Sequence, residues 1–439
     1  MVALILSCGG SPEPLIYSIK NINPTFVYFL CSNDSKDEVE NIIKESEFSK
    51  EYDIKIVNDH ESLDESFAKS REIIKELENT YENIHIDFTG GTKPMVSGLV
   101  LAAIGENCSY SYVGSKDSQS RDKNGLGIVQ DGFEQIKEQK DPYDVFAVME
   151  FEKGMDFFNR YQFDAAGINF QTASEKLESK NLKELSNIYV ELVNLYDLWD
   201  KFNNISDHKK TLNSILDNIL EKINSSNNIL THLNEEYPNF IPQIEDNIEF
   251  LKLKISRRGV IKLTDVPYYL PDLLNNASRR ITEGKYDDAV ARLYRAIELI
   301  AQFGLTQNNL INEHTLKSHA KFTINKQDII DLENDDVNNL VKNFHEYDGP
   351  GKTFGIGSKK SYQLLEALGS EFATEYLNDE DIENNIRLRN SSILAHGLQP
   401  VDKNEANELY SQVLAYAKKA FPEVEKYMKM AEFPKFTND

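Results

Sequence analysis

Short apolar runs alternate with helical patterns from Val2 to Val113, and no other pattern in the chain limits its architecture so tightly. Val2–Ser7, Thr25–Cys31, Asp53–Val57, Asn83–Phe88 and Ser109–Val113 read as strands. Glu13–Lys20, Asp34–Ser46, Ser62–Asn79 and Lys93–Gly105 read as the helices between them. Ser35…Glu38 and Ser62…Glu65 have the spacing of capping boxes. Strand and helix in strict turn predict an α/β Rossmann-like N-terminal domain, a parallel doubly wound sheet with helices on both faces. From about Tyr143 onward helical periodicity dominates, so an all-α region is expected to follow.

Ligands on such sheets sit beyond the carboxyl ends of the strands. Two loops there are rich in small residues: Ser7-Cys8-Gly9-Gly10-Ser11 after the first strand, and Thr89-Gly90-Gly91-Thr92-Lys93 after the fourth. Lys93-Pro94 opens a helix, and Pro94 suits the first turn because its missing N–H is unpaired there anyway. Gly90 and Gly91 bare backbone N–H groups, while Thr89, Thr92 and Lys93 add donors and a positive charge. A helix N-terminus of this composition suits a phosphate or another anion. An unliganded tight strand-to-helix turn would have the same letters. The first loop lacks the full G-x-G-x-x-G fingerprint, so a nicotinamide site is not expected.

A length of 439 residues allows two or three domains. A net charge of −24 argues against a protein that coats nucleic acid along its whole surface, though not against a local basic cleft. Lys252, Lys254, Arg257, Arg258 and Lys262 cluster, as do Arg279, Arg280, Arg292 and Arg295; for any single cluster a solvated helix face is the favoured reading over a basic cleft. Cys8, Cys31 and Cys108 show no metal-ligand or paired spacing and read as reduced thiols of a cytoplasmic protein. Met1–Ser7 lacks the pattern of a signal peptide, and no membrane span is expected; Met95–Ile104 reads as a buried helix.

The polar stretch Ser115–Asn124 reads as an exposed hairpin or loop ahead of Leu126–Val129, and Asp141-Pro142 as a boundary or helix start. Tyr161-Gln162-Phe163-Asp164-Ala165-Ala166 and Lys285-Tyr286-Asp287-Asp288-Ala289-Val290 resemble each other, through duplication or through convergent helix packing. Breaks at Tyr237-Pro238, Ile241-Pro242, Val266-Pro267 and Leu270-Pro271 place the start of a last helical domain near residue 265. The expected division is 1–137, 138–264 and 265–439.

Glu380–His396 reads as one helix with Ile382, Ile386, Ile393 and Leu394 apolar. Arg389 and His396 fall on nearly the same face, roughly 10 Å apart along the axis, with Ser392 between them. A guanidinium can hold a phosphate through paired N–H groups, and a histidine can move protons near neutral pH. Together they suit metal-free RNA cleavage by the RNA's own 2′-hydroxyl, with Asn390 as an added polar group. With 8 His and 11 Arg in the chain, about 0.6 Arg-x(4–6)-His matches arise by chance, so the pattern alone is weak. Tyr347-Asp348-Gly349-Pro350-Gly351-Lys352-Thr353 imitates a P-loop, but Glu346 stands where the first glycine is needed. Gly349–Lys360 therefore reads as a loop between helices. His314 and His319 have no supporting ligands, so no metal site is expected, and no Gly-x-Ser-x-Gly elbow occurs.

The order of these features resembles the CARF–HEPN ribonucleases that accompany type III CRISPR systems. The CARF part of the resemblance rests on the loop after the first strand and on Asp87-Phe88-Thr89-Gly90-Gly91-Thr92-Lys93-Pro94-Met95. The HEPN part rests on Asp288–Glu298 and on Arg389-Asn390-Ser391-Ser392-Ile393-Leu394-Ala395-His396-Gly397. The resemblance implies a cyclic oligoadenylate activator in a pocket shared by two CARF domains, lined by Gly9, Gly10, Ser11, Thr89, Gly90, Gly91, Thr92 and Lys93. It implies a homodimer in which Arg389, Asn390 and His396 meet their counterparts to form one metal-independent site for single-stranded RNA. The alternatives are a non-catalytic cyclic-nucleotide sensor whose helical half docks a partner or DNA, and a helical-repeat scaffold with an incidental α/β domain.

Overall fold

The computed structural model describes residues 1–116, 129, 132–202, 219, 221–222, 225, 227–254, 266–311, 323–342, 344, 346–347, 353–382, 384, 386 and 397–438. They fall into two units: 1–151 with 172–183, and 152–171 with 184–439.

The first unit is built on β1 (Val2–Ser7), β2 (Phe26–Ser32), β3 (Tyr52–Val57), β4 (Asn83–Asp87), β5 (Cys108–Ser115) and β6 (Glu134–Gln139), in the sheet order β3-β2-β1-β4-β5-β6. The first five are parallel, with Ile5 beside Tyr28 on one side and Ile86 on the other. Strand β1 shows why the apolar runs are continuous. Ala3 and Ile5 enter one core with Ile73, Ile74, Met95 and Leu99, while Leu4 and Leu6 enter the opposite core with Leu15, Ile19, Val39 and Ile42. Residues alternate between faces, and helices cover both faces, so every position is apolar.

The covering helices are α1 (Glu13–Ile22), α2 (Glu38–Glu45), α3 (Leu63–Glu78) and α4 (Lys93–Ala103). Close approach of α3 and α4 needs small residues: a Cβ on Gly98 would lie 2.7 Å from the Ser66 Cβ. Ser66 and Ser70 donate back to the carbonyls of Ser62 and Ser66, which keeps their buried hydroxyls satisfied. Half of the expected Ser62 capping box is present, since Ser62 Oγ accepts from Glu65 N–H. The Glu65 carboxylate instead accepts from the N–H groups of Asn58 and Asp59. Ser35 caps nothing; its hydroxyl turns back onto Ser32, and the helix begins at Glu38.

Strand β6 was not expected. It runs antiparallel to β5, pairing Ser115 with Glu134 and Tyr110 with Gln139. A polar edge strand of this kind carries no apolar run to read. Of Leu126–Val129, only Val129 is among the described residues.

The second unit is mainly helical. Phe158, Phe163, Tyr196, Trp199, Phe240 and Phe250 form an aromatic core, into which the C-terminal Phe433 and Phe436 insert. The two similar segments share a turn as well as letters. Tyr161 (φ 63°) and Gly284 (φ 76°) are both left-handed, and Gln162 and Lys285 donate to the carbonyls of Phe157 and Arg280, the 6→1 bond of a Schellman end. A larger apolar cluster joins Leu270, Leu274 and Ala277 with Val290, Leu293, Ile297 and Ile300, and with Ala406, Leu409, Val413 and Ala417. Ile382 is buried in it and Ile386 packs against it, as their apolar spacing predicted. Gly349–Lys360 is not simply a loop. Thr353–Gly355 (β9) pairs antiparallel with Thr323–Asn325 (β7) and Glu346–Tyr347 (β8), and a helix begins at Ser358. No helix of the described residues is long and apolar enough to cross a membrane.

Candidate ligand site

The sheet order reverses between β1 and β4: the chain moves outward from β1 through β2 and β3, then returns to the other side of β1. The crevice at the carboxyl ends of these two strands is the switch point where doubly wound sheets take ligands. Both small-residue loops emerge there, from Ser7 and from Asp87.

The loops touch through backbone. A Cβ on Gly9 would lie 2.7 Å from Gly91 N, and one on Gly90 would lie 2.5 Å from the Ser7 carbonyl oxygen. Gly91 has φ 95°, a left-handed conformation that side chains other than hydrogen rarely adopt. Ser7 Oγ donates to the Gly90 carbonyl and joins the two loops. The N–H groups of Gly9, Gly10, Gly90 and Gly91 meet no acceptor among the described residues.

Asp87 organises the second loop. It is fully buried, and its carboxylate accepts from Ser18 Oγ (2.9 Å), Ser111 Oγ (2.9 Å), Thr89 N–H (3.0 Å) and Thr89 Oγ1. Thr89 Oγ1 also accepts from Val113 N–H at 2.7 Å. Ser111, having donated to Asp87, is left to accept from His85 Nε2 (2.8 Å); that places the ring proton on Nε2 and leaves Nδ1 to accept from Ser109 Oγ. Burial holds this imidazole below the usual histidine range, in keeping with a neutral ring.

Two of the expected ligand donors therefore have other work. Thr89 directs both its hydroxyl and its N–H at Asp87. The Thr92 hydroxyl donates to the His60 carbonyl and accepts from Met95 N–H, capping α4. Lys93 is exposed at the same helix end and makes no ion pair or hydrogen bond with a described residue. Gly9, Ser11, Gly90 and Gly91 are half-buried, and Gly10 is exposed. The crevice offers backbone donors, a helix N-terminus and one ammonium group, which is the chemistry of a phosphate cradle. The role of Asp87 had one local sign, an Asp two residues ahead of Thr89, the spacing of an Asx turn; that of Ser7 had none. Cys8 and Cys31, widely separated in sequence, lie close enough for their thiols to hydrogen bond, and that contact with burial pushes the Cys31 thiol far up.

Arg389, Asn390 and His396, with Ser392, lie outside the described residues. So do His314, His319 and the central residues of the P-loop-like segment. No cluster of His, Cys, Asp or Glu able to hold a metal occurs among the described residues.

A doubly wound sheet with an anion-suited crevice at its switch point, followed by a mainly helical unit, defines a two-part protein of Rossmann-like and helical halves. Residues 258–420 match the family described as the Csm6 HEPN domain. The resemblance to CARF–HEPN proteins of type III CRISPR systems is borne out there.

Among solved structures, the chain is similar to Enterococcus italicus Csm6 bound to cyclic hexa-2′-fluoro-hexa-dAMP, with 12% identity, 98% of each chain covered and a TM-score of 0.48. It is more distantly similar to Can2 from Sulfobacillus thermosulfidooxidans in complex with cyclic tetra-adenylate, with 15% identity, 68% of each chain covered and a TM-score of 0.24. A type III CRISPR defence DNA nuclease activated by cyclic oligoadenylate shows 14% identity over 44% of this chain and 33% of its own, with a TM-score of 0.24. No curated protein sequence matches.

Proposed function

We propose that this chain is an accessory endoribonuclease of type III CRISPR defence, switched on by a cyclic oligoadenylate. The observation that carries the proposal is the Csm6 HEPN match over 258–420, because that span contains Arg389, Asn390 and His396. The crevice between β1 and β4 supports it independently, through glycine N–H groups with no acceptor among the described residues and the exposed ammonium of Lys93, a chemistry suited to phosphates. In this reading 1–137 form the ligand-binding domain, 138–264 connect, and 265–439 form the ribonuclease domain.

Two copies hold one cyclic oligoadenylate across paired crevices. The backbone donors of Gly9, Gly10, Gly90 and Gly91 and the ammonium of Lys93 take its phosphates. In the nuclease site the 2′-hydroxyl of the RNA attacks the adjacent phosphorus and the 5′-oxygen leaves. The products are a 2′,3′-cyclic phosphate and a 5′-hydroxyl. His396 transfers the proton, Arg389 stabilises the charge gathering on the phosphoryl oxygens, and Asn390 orients. No metal takes part. The ligand raises activity only by binding the active dimer arrangement more tightly than the inactive one.

The test is cleavage of labelled single-stranded RNA with and without cyclic tetra- or hexa-adenylate, in the presence of EDTA. Ligand-dependent cutting that survives EDTA and disappears in His396→Ala, with ligand affinity retained, is expected. Ligand binding with no cutting by the wild type would replace this reading with the non-catalytic sensor. Wild-type cutting by His396→Ala would refute the site.

A further inference from the structure

The second unit contains a cavity of about 470 Å³ that the function above does not use. It lies where the C-terminal segment Glu432–Thr437 meets the helices Phe240–Lys254 and Val266–Thr282. Arg279 lines it and is only 4% exposed. Its Nε donates to Asp200 at 2.7 Å, and its guanidinium carbon stacks 3.8 Å from the centre of the Phe433 ring. Both contacts fix the plane of the group. Its Nη2 is buried with no hydrogen-bond partner among the described residues. A fixed, charged donor left unpaired just behind the wall of a cavity is one small side-chain shift from an acceptor placed there.

The rest of the lining agrees. Lys435, exposed at the rim, makes no ion pair with a described residue, and its ammonium lies 5.7 Å from the centre of the Tyr161 ring. Gln243 and Asn275 direct their amide nitrogens at the backbone carbonyls of Lys429, Glu432 and Met428. What Gln243 still offers is an acceptor oxygen, and Asn275 offers an oxygen and one N–H. The carboxylate among the described lining residues is that of Glu432, which is exposed. The lining thus combines two cationic groups, each set against an aromatic ring, with side-chain amides, at a volume usual for small-molecule sites.

We infer that this cavity binds a small organic oxyanion, a phosphate or a carboxylate with hydrogen-bond donors on its body, through Arg279 and Lys435. The site is separate from the β1–β4 crevice and does not depend on the nuclease reading.

The test is calorimetric titration of the full-length protein with inorganic phosphate, adenosine 5′-monophosphate and succinate, with adenosine as the uncharged control. At least one of the anions is expected to bind where adenosine does not. Its affinity should fall at least tenfold in Lys435→Glu and in Arg279→Lys, and stay unchanged in Lys93→Ala, which removes the ammonium of the other crevice. The phosphate and succinate arms assign the anion class. Lys435 is exposed, so its variant decides the matter even if Arg279→Lys fails to fold. Binding of none of the three at millimolar concentration would leave a water-filled cavity and overturn the inference. Affinity indifferent to Lys435→Glu, or abolished by Lys93→Ala, would overturn it as well.

Discussion

Replacing Asp87 with alanine removes one acceptor from four donors at once: the hydroxyls of Ser18, Ser111 and Thr89, and the Thr89 N–H. The hydroxyls can rotate toward other acceptors, but the N–H is fixed by the backbone. A hydrogen bond to a charged acceptor contributes about 1.5–3 kcal/mol, and a stranded buried donor costs about 1–3 kcal/mol. Counting the N–H in full and the hydroxyls in part, Asp87→Ala should destabilise the first unit by about 3–5 kcal/mol, a large share of the ~5–15 kcal/mol that holds a domain together. At about 2–4 °C per kcal/mol for a domain of this size, its melting transition should fall by about 6–20 °C. Asp87→Asn is the informative control. It keeps one oxygen for the two Thr89 donors, and the Ser18 and Ser111 hydroxyls can turn to accept from the new amide. It also removes a buried charge that has no cationic partner among the described residues. Its expected cost is about 1–2 kcal/mol. Differential scanning calorimetry of both variants decides the matter. A transition for Asp87→Ala within 2 °C of wild type, or an asparagine variant as unstable as the alanine one, would refute the reasoning that this carboxylate holds the loop by its geometry.

Gly90→Ala puts a methyl group 2.5 Å from the Ser7 carbonyl and 3.2 Å from Leu15 Cδ2, in a place where a β-strand backbone cannot yield. A loss of about 1–3 kcal/mol in stability is expected, with at least a tenfold loss of cyclic-oligoadenylate affinity by calorimetry; unchanged affinity would separate the loop from the ligand. The His85 imidazole sits below its ordinary range because burial disfavours its charged form, so the unfolded chain takes up this proton first as pH falls. Its contribution is therefore complete above the unfolded value of about 6.5 and is lost as pH drops through that value toward the lower folded one. Thermal melts between pH 7.5 and 5 should show His85→Gln losing less stability on acidification than wild type, and parallel curves would contradict this.

Much of the first unit was legible because of where its strands lie. A strand buried on both faces, such as Val27–Cys31, cannot hide its apolar run, and a helix between two such strands shows its period. Strand β6 has Glu134, Gln135, Lys137, Glu138 and Gln139 around a lone Ile136, and β7 to β9 span two or three residues each, too few for any period to show. In the crevice the letters were visible but their partners were not. Thr89 and Thr92 look like ligand donors until Asp87 and the His60 carbonyl are seen to take them. The Arg279 cavity joins residues from Tyr161 to Thr437, and no local pattern could announce it.

The expected break at Leu270-Pro271 shows how such a competition is decided. The helix Val266–Thr282 runs through Pro271. Proline in a helix interior removes one backbone hydrogen bond and strains the preceding turn, a cost of about 3 kcal/mol. Here the lost bond is the one that would have reached the Pro267 carbonyl, near the start of the helix. Against that cost, Leu270, Leu273 and Leu274 are buried on one face, each contributing about 1.5–3 kcal/mol, and Ala277 completes the stripe. Ending the helix at Pro271 would swing that stripe off the packed cluster. Burial exceeds the proline cost, so the local breaker yields to the core. The same comparison predicts that a second loss on this face, such as Leu274→Ala, would bring the total near balance and fray the helix back to Pro271, which amide exchange along Val266–Thr282 would reveal as early loss of protection confined to its first turns.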